Sequence, residues 1–152
     1  MPRLRTILKW TVIGSVPLLV AIQFVPYGRD HTNPTGGRRI AWDSPRTEEL
    51  MNGACMDCHS NETKWPWYTN VAPVSWLVQS DVEEGRDELN VSTGEIEVEE
   101  MVETIREGSM PPLQYKPLHS GARLSDQEEQ DLIRGLEATF GAGGESEGEE
   151  DR

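Results

Sequence analysis

Two cysteines and a histidine form the part of this chain with the most specific chemistry. Cys55, Cys58 and His59 follow the pattern C-x-x-C-H, and the chain contains no other cysteine. Two thiols at this spacing can each add to one vinyl group of a porphyrin, and the adjacent imidazole then lies beneath the iron. The motif therefore predicts one covalently attached c-type haem, with His59 as the proximal iron ligand.

Three other uses of such a motif were weighed against this prediction. A structural zinc site usually needs four protein ligands, whereas His31 and His119 stand singly and far from the motif. A thioredoxin-like redox pair requires a preceding strand and a βαβ pattern, and the sequence shows neither. A simple disulfide or a chance occurrence of the pattern stays open as the weaker alternative.

The second axial position of the iron has one favoured candidate. Met51 and Met56 are too close in sequence to the motif to reach the opposite face of a porphyrin, and Met101 lies on an apolar helical stripe that predicts a core position. Met110 belongs to an extended Ser-Met-Pro-Pro segment, because proline disfavours helical geometry in the preceding residue. We therefore expect Met110 to bind the iron, with His119 or an open, water-bound site as alternatives.

Aromatic residues are concentrated shortly after the motif. The runs Trp-Pro-Trp-Tyr and Ala-Pro-Val-Ser-Trp contribute Trp65, Trp67, Tyr68 and Trp76. Core packing alone could account for them. Because they follow the motif so closely, we expect some of them to wall the haem and exclude water.

The N-terminal segment predicts a membrane anchor. Residues 7–25 form an apolar run of about the length that one helix needs to cross a bilayer. Basic residues precede or begin this run, which places residues 1–6 in the cytoplasm and the rest of the chain outside. Residues 26–29 offer no pair of small residues for cleavage, so an uncleaved signal anchor is favoured over a removable signal peptide. Export agrees with the haem prediction, since bacterial thioether attachment occurs outside the cytoplasmic membrane.

The remaining boundaries follow from composition. Residues 26–42, rich in glycine and proline, predict a linker in which His31 is exposed. Residues 43–140 form the predicted haem-binding domain. Residues 141–152 predict a disordered acidic tail.

The domain itself is predicted to be all-α, with about four helices around one haem. Ser44 and Pro45 suit the start of the first helix, which leads toward the motif. Residues 74–89 and 95–107 fit the second and third. Ser125 opens the fourth, which continues to Phe140, and Glu128 three residues after Ser125 completes a capping box.

The charge balance is strongly acidic and limits the possible partners. The formal net charge is −13, which argues against nucleic-acid binding because a phosphate backbone would be repelled. A soluble redox partner is expected to present a basic patch. The alternative is that the charge only maintains solubility.

Several of these motifs together resemble known families. The haem motif and Met110-Pro111-Pro112 are similar to those of class I c-type cytochromes. More closely, the chain resembles small membrane-anchored bacterial haem-binding domain proteins. Five patterns carry this likeness over residues 43–140: C-x-x-C-H-S-N-E-T, W-P-W-Y, A-P-V-S-W, M-P-P and L-S-x-x-E. The resemblance implies covalent haem binding but no settled reaction.

Two functional classes fit these expectations. A haem iron held by histidine and methionine changes oxidation state without substrate entry, which favours one-electron transfer over an enzymatic role. A gas or redox sensor, or a peroxidase-like enzyme, would instead need an open distal position.

Overall fold

The computed structural model describes residues 2–141, and within that range every regular element is helical. The α-helices are α1 (Pro2–Ile22), α2 (Pro45–Ala54), α3 (Met56–His59), α4 (Val74–Glu88), α5 (Val98–Arg106) and α6 (Asp126–Phe140). Two short 3-10 helices cover Trp67–Asn70 and Ser120–Ala122. The predicted all-α class is confirmed. Of the predicted acidic tail, residues 142–152 lie outside the described residues.

The chain divides into two compact units. The first contains residues up to Thr32 together with Lys64–Glu84, and the second contains Asn33–Thr63 and everything from Gly85 onward. The haem motif belongs to the second unit, whereas the aromatic cluster that follows it in sequence belongs to the first.

The N-terminal helix differs from the predicted membrane span. Helix α1 covers Pro2–Ile22, so it starts before the apolar run and takes in Arg3, Arg5 and Lys9, while Phe24 and Val25 follow its end. Among residues 2–141, no helix combines enough length with enough apolar character to cross a bilayer. The predicted transmembrane helix is therefore not supported.

Residues after α1 make specific contacts within the first unit. The Gln23 amide forms two hydrogen bonds with the backbone of Ala72, at 2.9 Å and 3.0 Å. The His31 ring stacks on Trp65 with a centroid distance of 4.5 Å, and its Nε2 lies 3.1 Å from the Thr69 carbonyl. His31 is therefore half-buried and not exposed as the linker prediction expected.

The helices of the second unit begin where the sequence predicted. The Ser44 hydroxyl accepts a hydrogen bond from the Thr47 amide, and Pro45 occupies the first turn of α2. Ser125 and Glu128 form the predicted capping box at the start of α6. Such caps satisfy amides that have no partner inside their own helix, which explains why these two starts were readable in the sequence.

The core of the second unit is formed where α2, α5 and α6 pack together. Its fully buried members include Met51, Leu132 and Leu136. Met101 also lies in this core, as its place on an apolar stripe predicted. At the α2–α6 contact, a Cβ on Gly135 would meet the Thr47 Oγ1 at 2.0 Å, so only glycine allows this approach.

Two helix boundaries differ from the predictions. The helix leading to the motif is interrupted at Cys55, whose φ of −126° and ψ of −41° separate α2 from α3. Helix α5 begins at Val98 and not at residue 95, because Glu97 has the non-helical angles φ −91° and ψ 89°. The other predicted bounds agree with α4 and α6 to within one residue.

Candidate haem-binding site

The C-x-x-C-H motif is arranged around the single turn of α3. The Cys55 amide still donates to the Met51 carbonyl at 2.9 Å, as a continuation of α2. The Cys55 carbonyl then accepts from the amides of Cys58 at 3.2 Å and His59 at 3.0 Å. These backbone bonds keep the two cysteines and the histidine within one short, internally bonded segment.

The two cysteines are free thiols in partly buried positions. Burial, followed by the nearby Cys58 thiol, raises the pKa of Cys55 to about 12. Cys55 is therefore the neutral thiol at physiological pH and not a reactive thiolate. A reduced, unpaired pair of thiols is what addition to two vinyl groups requires.

The orientation of the His59 ring is fixed by the C-terminal end of α4. Its Nδ1 lies 2.8 Å from the Gly85 carbonyl and 3.1 Å from the Leu89 carbonyl. Carbonyl oxygens only accept hydrogen bonds, so Nδ1 carries the proton and the neutral ring keeps its lone pair on Nε2. Metal-binding histidines usually donate their second ring N–H in this way, which orients the ring and makes it a better ligand.

A close backbone approach accompanies this orientation. A Cβ on Gly85 would lie 2.9 Å from the Cys58 carbonyl oxygen and 3.0 Å from the Cys58 Cβ. A side chain at this position would push the last turn of α4 away from the motif. Glycine at position 85 therefore allows the carbonyl that orients His59 to come within hydrogen-bonding distance.

Arg86 holds the segment that leaves the motif. Its Nε donates to the Ser60 carbonyl at 2.9 Å, and its Nη2 donates to Thr63 Oγ1 at 2.8 Å and to Asn33 Oδ1 at 2.9 Å. Burial lowers the pKa of Arg86 from its ordinary value. Since Gly85 and Arg86 are neighbours, the same turn of α4 contacts the motif and the residues immediately after it.

A second polar group supports the same segment. The Asn61 amide donates to Ser92 Oγ at 3.0 Å, and the Asn90 side chain donates to Asn61 Oδ1 at 2.8 Å. The Val91 amide donates to the carbonyl of His59 itself at 2.9 Å. The backbone of the proximal histidine is therefore held as well as its ring.

These residues fit a haem group. Two free thiols at the attachment spacing and an imidazole with an available Nε2 constitute the donor set that a c-type haem uses. Elsewhere in residues 2–141, no three His, Cys, Asp or Glu side chains converge as a possible metal site.

The two candidates for the distal ligand lie on one segment of the second unit. Met110 follows α5 directly, and its amide donates to the Thr104 carbonyl at 3.2 Å. Its side chain is partly exposed. The His119 ring stacks on Tyr115 with a centroid distance of 3.6 Å, and its Nδ1 lies 3.0 Å from the Tyr115 carbonyl. Met110 as the iron ligand stays a prediction.

The four aromatic candidates all lie in the first unit. Trp65 is half-buried against His31, and Trp67 is 79% exposed with its ring edge-on to Tyr68. Trp76 is half-buried, and its indole nitrogen is buried without a hydrogen-bond partner among residues 2–141. Their role in walling the haem stays a prediction.

Several residues that shape the site were not found in the sequence. Gly85 and Leu89 act through backbone carbonyls, which every residue possesses. Arg86 looked like one more charge on a polar helix face, and the contact between Asp57 and Tyr115 joins residues 58 positions apart. Only the glycine could have been noticed, because a glycine inside a helix usually has a packing or functional reason.

A helical fold that holds a C-x-x-C-H motif with an oriented histidine defines a haem protein, and a comparison with known families agrees. The chain matches the haem-binding domain family over residues 17–138. It therefore belongs to this family and is a haem-binding protein. No curated protein and no solved structure matches the chain.

Proposed function

We propose that this chain is a one-electron carrier with a single c-type haem bound covalently through Cys55 and Cys58. His59 and Met110 are the axial ligands in this proposal. The observation that carries it is the pair of hydrogen bonds from His59 Nδ1 to the Gly85 and Leu89 carbonyls. A histidine oriented in this way leaves only Nε2 available, and it lies directly beside the two thiols in sequence.

Each residue has a defined part in this function. When bound, the haem supplies an iron that cycles between the ferric and ferrous states. His59 binds through Nε2, and its Nδ1–H bond to the carbonyls increases the basicity of the ring. A thioether such as that of Met110 favours ferrous iron and raises the reduction potential.

The protein is proposed to act on the outer side of the cytoplasmic membrane. This placement rests on the attachment motif, because bacteria form the thioether bonds on that side. Its partner is proposed to be a redox protein with a basic patch, given the net charge of −13.

A second function has one observation in its favour. Met110 is 37% exposed, more than expected of a side chain held beneath a haem. A site without this ligand would be open to small molecules, as in a gas or redox sensor or a peroxidase-like enzyme.

The mode of attachment can be tested directly. The protein is produced together with a haem-attachment system, denatured, and separated from free haem. Covalent binding predicts that the unfolded chain keeps one haem mass, and that Cys55→Ala with Cys58→Ala loses it. Haem released from denatured wild-type protein would contradict the thioether bonds. The double variant is also expected to lose most of its helicity by circular dichroism.

The distal ligand is tested by substitution of Met110. Sulfur bound to ferric haem gives a weak charge-transfer absorption at the red end of the spectrum. Met110→Ala should abolish this band, allow the reduced protein to bind carbon monoxide, and lower the potential. Leu113→Ala is the matched control, because Leu113 is 80% exposed and lies on the same segment. If wild type binds carbon monoxide rapidly and Met110→Ala changes nothing, the open-site function is favoured.

A further inference from the structure

The segment that carries Met110 is held first at the end of α5. The Thr104 carbonyl accepts three hydrogen bonds: from the Ser109 amide at 3.1 Å, the Ser109 hydroxyl at 3.0 Å and the Met110 amide at 3.2 Å. Gly108, with a φ of 72°, makes the turn that allows this arrangement. The backbone of Met110 is therefore fixed to α5 on its N-terminal side.

The same segment is held a second time, by the haem motif itself. The Tyr115 hydroxyl donates to Asp57 Oδ2 at 2.7 Å, and Asp57 lies between the two cysteines. The carbonyl of Asp57 accepts a hydrogen bond from Thr63 Oγ1 at 2.6 Å. The carboxylate that receives Tyr115 therefore stands on a backbone that is itself restrained.

Tyr115 is also rigid in its own surroundings. Its amide donates to the Pro112 carbonyl at 3.1 Å, which closes a turn after the two prolines. Its ring stacks on His119 at an interplanar angle of 9°. The phenol is therefore held by its backbone and by its ring before it reaches the carboxylate.

From this arrangement we propose that Tyr115 is a positioning residue for the distal side of the haem. Its hydrogen bond to Asp57 fastens the Met110 segment to the motif that carries the haem, and so opposes loss of the methionine from the iron. The inference rests on the proposed His59–Met110 ligation. It adds a residue that never touches the iron and acts through Met110.

The physical basis is the strength and the location of this bond. A hydrogen bond to an ionised carboxylate is stronger than one between neutral groups. Only four residues separate Met110 from Tyr115, and two of them are prolines, so the restraint is transmitted through a stiff connection. Without the bond, the segment keeps its anchor at Thr104 and loses its anchor at the motif.

The test uses the haem-loaded protein and Tyr115→Phe, which keeps the ring and removes only the hydroxyl. The affinity of the ferric protein for imidazole is expected to increase about tenfold, which corresponds to about 1.4 kcal/mol. The charge-transfer band should weaken. Asp57→Ala should give a similar increase, and the double variant should show little more than either single variant, because both remove the same bond.

Tyr27→Phe is the matched control. Tyr27 also donates from its hydroxyl to a carboxylate, Glu83 Oε2 at 3.0 Å, but it lies in the first unit. Its substitution should leave imidazole affinity at the wild-type value. An equal increase in Tyr27→Phe would mean that loss of any tyrosine hydroxyl loosens the protein, and would overturn the proposal.

The outcomes separate this inference from the proposed function. If Met110→Ala opens the site but Tyr115→Phe and Asp57→Ala bind imidazole as wild type does, Tyr115 has no positioning role and the methionine ligation stands. Additive effects of the two substitutions would also overturn the proposal. If wild type already binds imidazole as tightly as Met110→Ala, the ligation itself fails. Should Tyr115→Phe not fold, Asp57→Ala and Asp57→Asn decide, because only asparagine keeps an oxygen acceptor for the phenol.

Discussion

Substitution of Gly85 by alanine tests the contact between α4 and the haem motif. The added Cβ would lie 2.9 Å from the Cys58 carbonyl oxygen and 3.0 Å from the Cys58 Cβ, closer than ordinary contacts. Overpacking of this kind costs about 1–3 kcal/mol. Alanine is also the better helix former by about 1 kcal/mol, so the net loss of stability is expected to be about 0–2 kcal/mol.

A second glycine isolates the contribution of the contact. Gly14 lies inside α1, and a Cβ there would meet nothing within 4 Å. Gly14→Ala should therefore show the gain in helix propensity without the clash. The difference between Gly85→Ala and Gly14→Ala in free energy of unfolding, measured by urea denaturation of the haem-loaded protein, should be about 1–3 kcal/mol.

Gly85→Ala should also change the redox behaviour. Displacing α4 lengthens the bond between the Gly85 carbonyl and His59 Nδ1, which makes the imidazole a weaker electron donor. The ferrous state is then favoured, so the reduction potential of the bound haem should rise. Equal stabilities of the two glycine variants, together with an unchanged potential, would refute the close approach of α4 to the motif.

Three further predictions concern stability and association. Gly135→Ala should destabilise the protein by about 2 kcal/mol in urea denaturation, because its Cβ would overlap the Thr47 side chain. The pKa of Glu128 is held below its ordinary value by the Ser125 amide, the Ser125 hydroxyl and Arg46. The ionised carboxylate therefore stabilises the fold above the ordinary glutamate pKa, and this contribution is lost as the pH falls through the lower folded-state value. Glu128→Gln should show less loss of stability than wild type between about pH 6 and pH 3. The association rate with a basic redox protein should fall steeply between about 0.01 M and 1 M ionic strength, where the Debye length shrinks from ~30 Å to ~3 Å. A rate independent of salt would indicate that the charge only maintains solubility.

The parts of the fold that could be predicted are those with local causes. Ser44 and Ser125 cap helices within three residues of themselves, so short windows of sequence were enough. The core position of Met101 followed from the apolar spacing of one helix. The break at Cys55 could not be predicted, because no glycine or proline marks it and both flanking segments have helical composition.

The division into two units was also hidden from the sequence. The aromatic residues after the motif were expected near the haem because they are close to it in sequence. They belong instead to a unit formed with the N-terminal helix, through contacts such as Gln23 with Ala72 and His31 with Trp65. Such pairings join residues more than 30 positions apart, and no local pattern announces them.

The candidate site shows the same difference between local and distant causes. The chemistry of the C-x-x-C-H motif is readable because thiol and imidazole are distinctive groups at a fixed spacing. What prepares the histidine is a pair of backbone carbonyls four residues apart on one face of the end of α4, at Gly85 and Leu89. The identity of a side chain does not reveal a carbonyl acceptor, whereas the absence of a side chain at Gly85 is what lets the helix come close enough to provide one. Haem binding was therefore predictable from the motif, while the means of orienting its iron ligand emerged only once α4 was packed against Cys58.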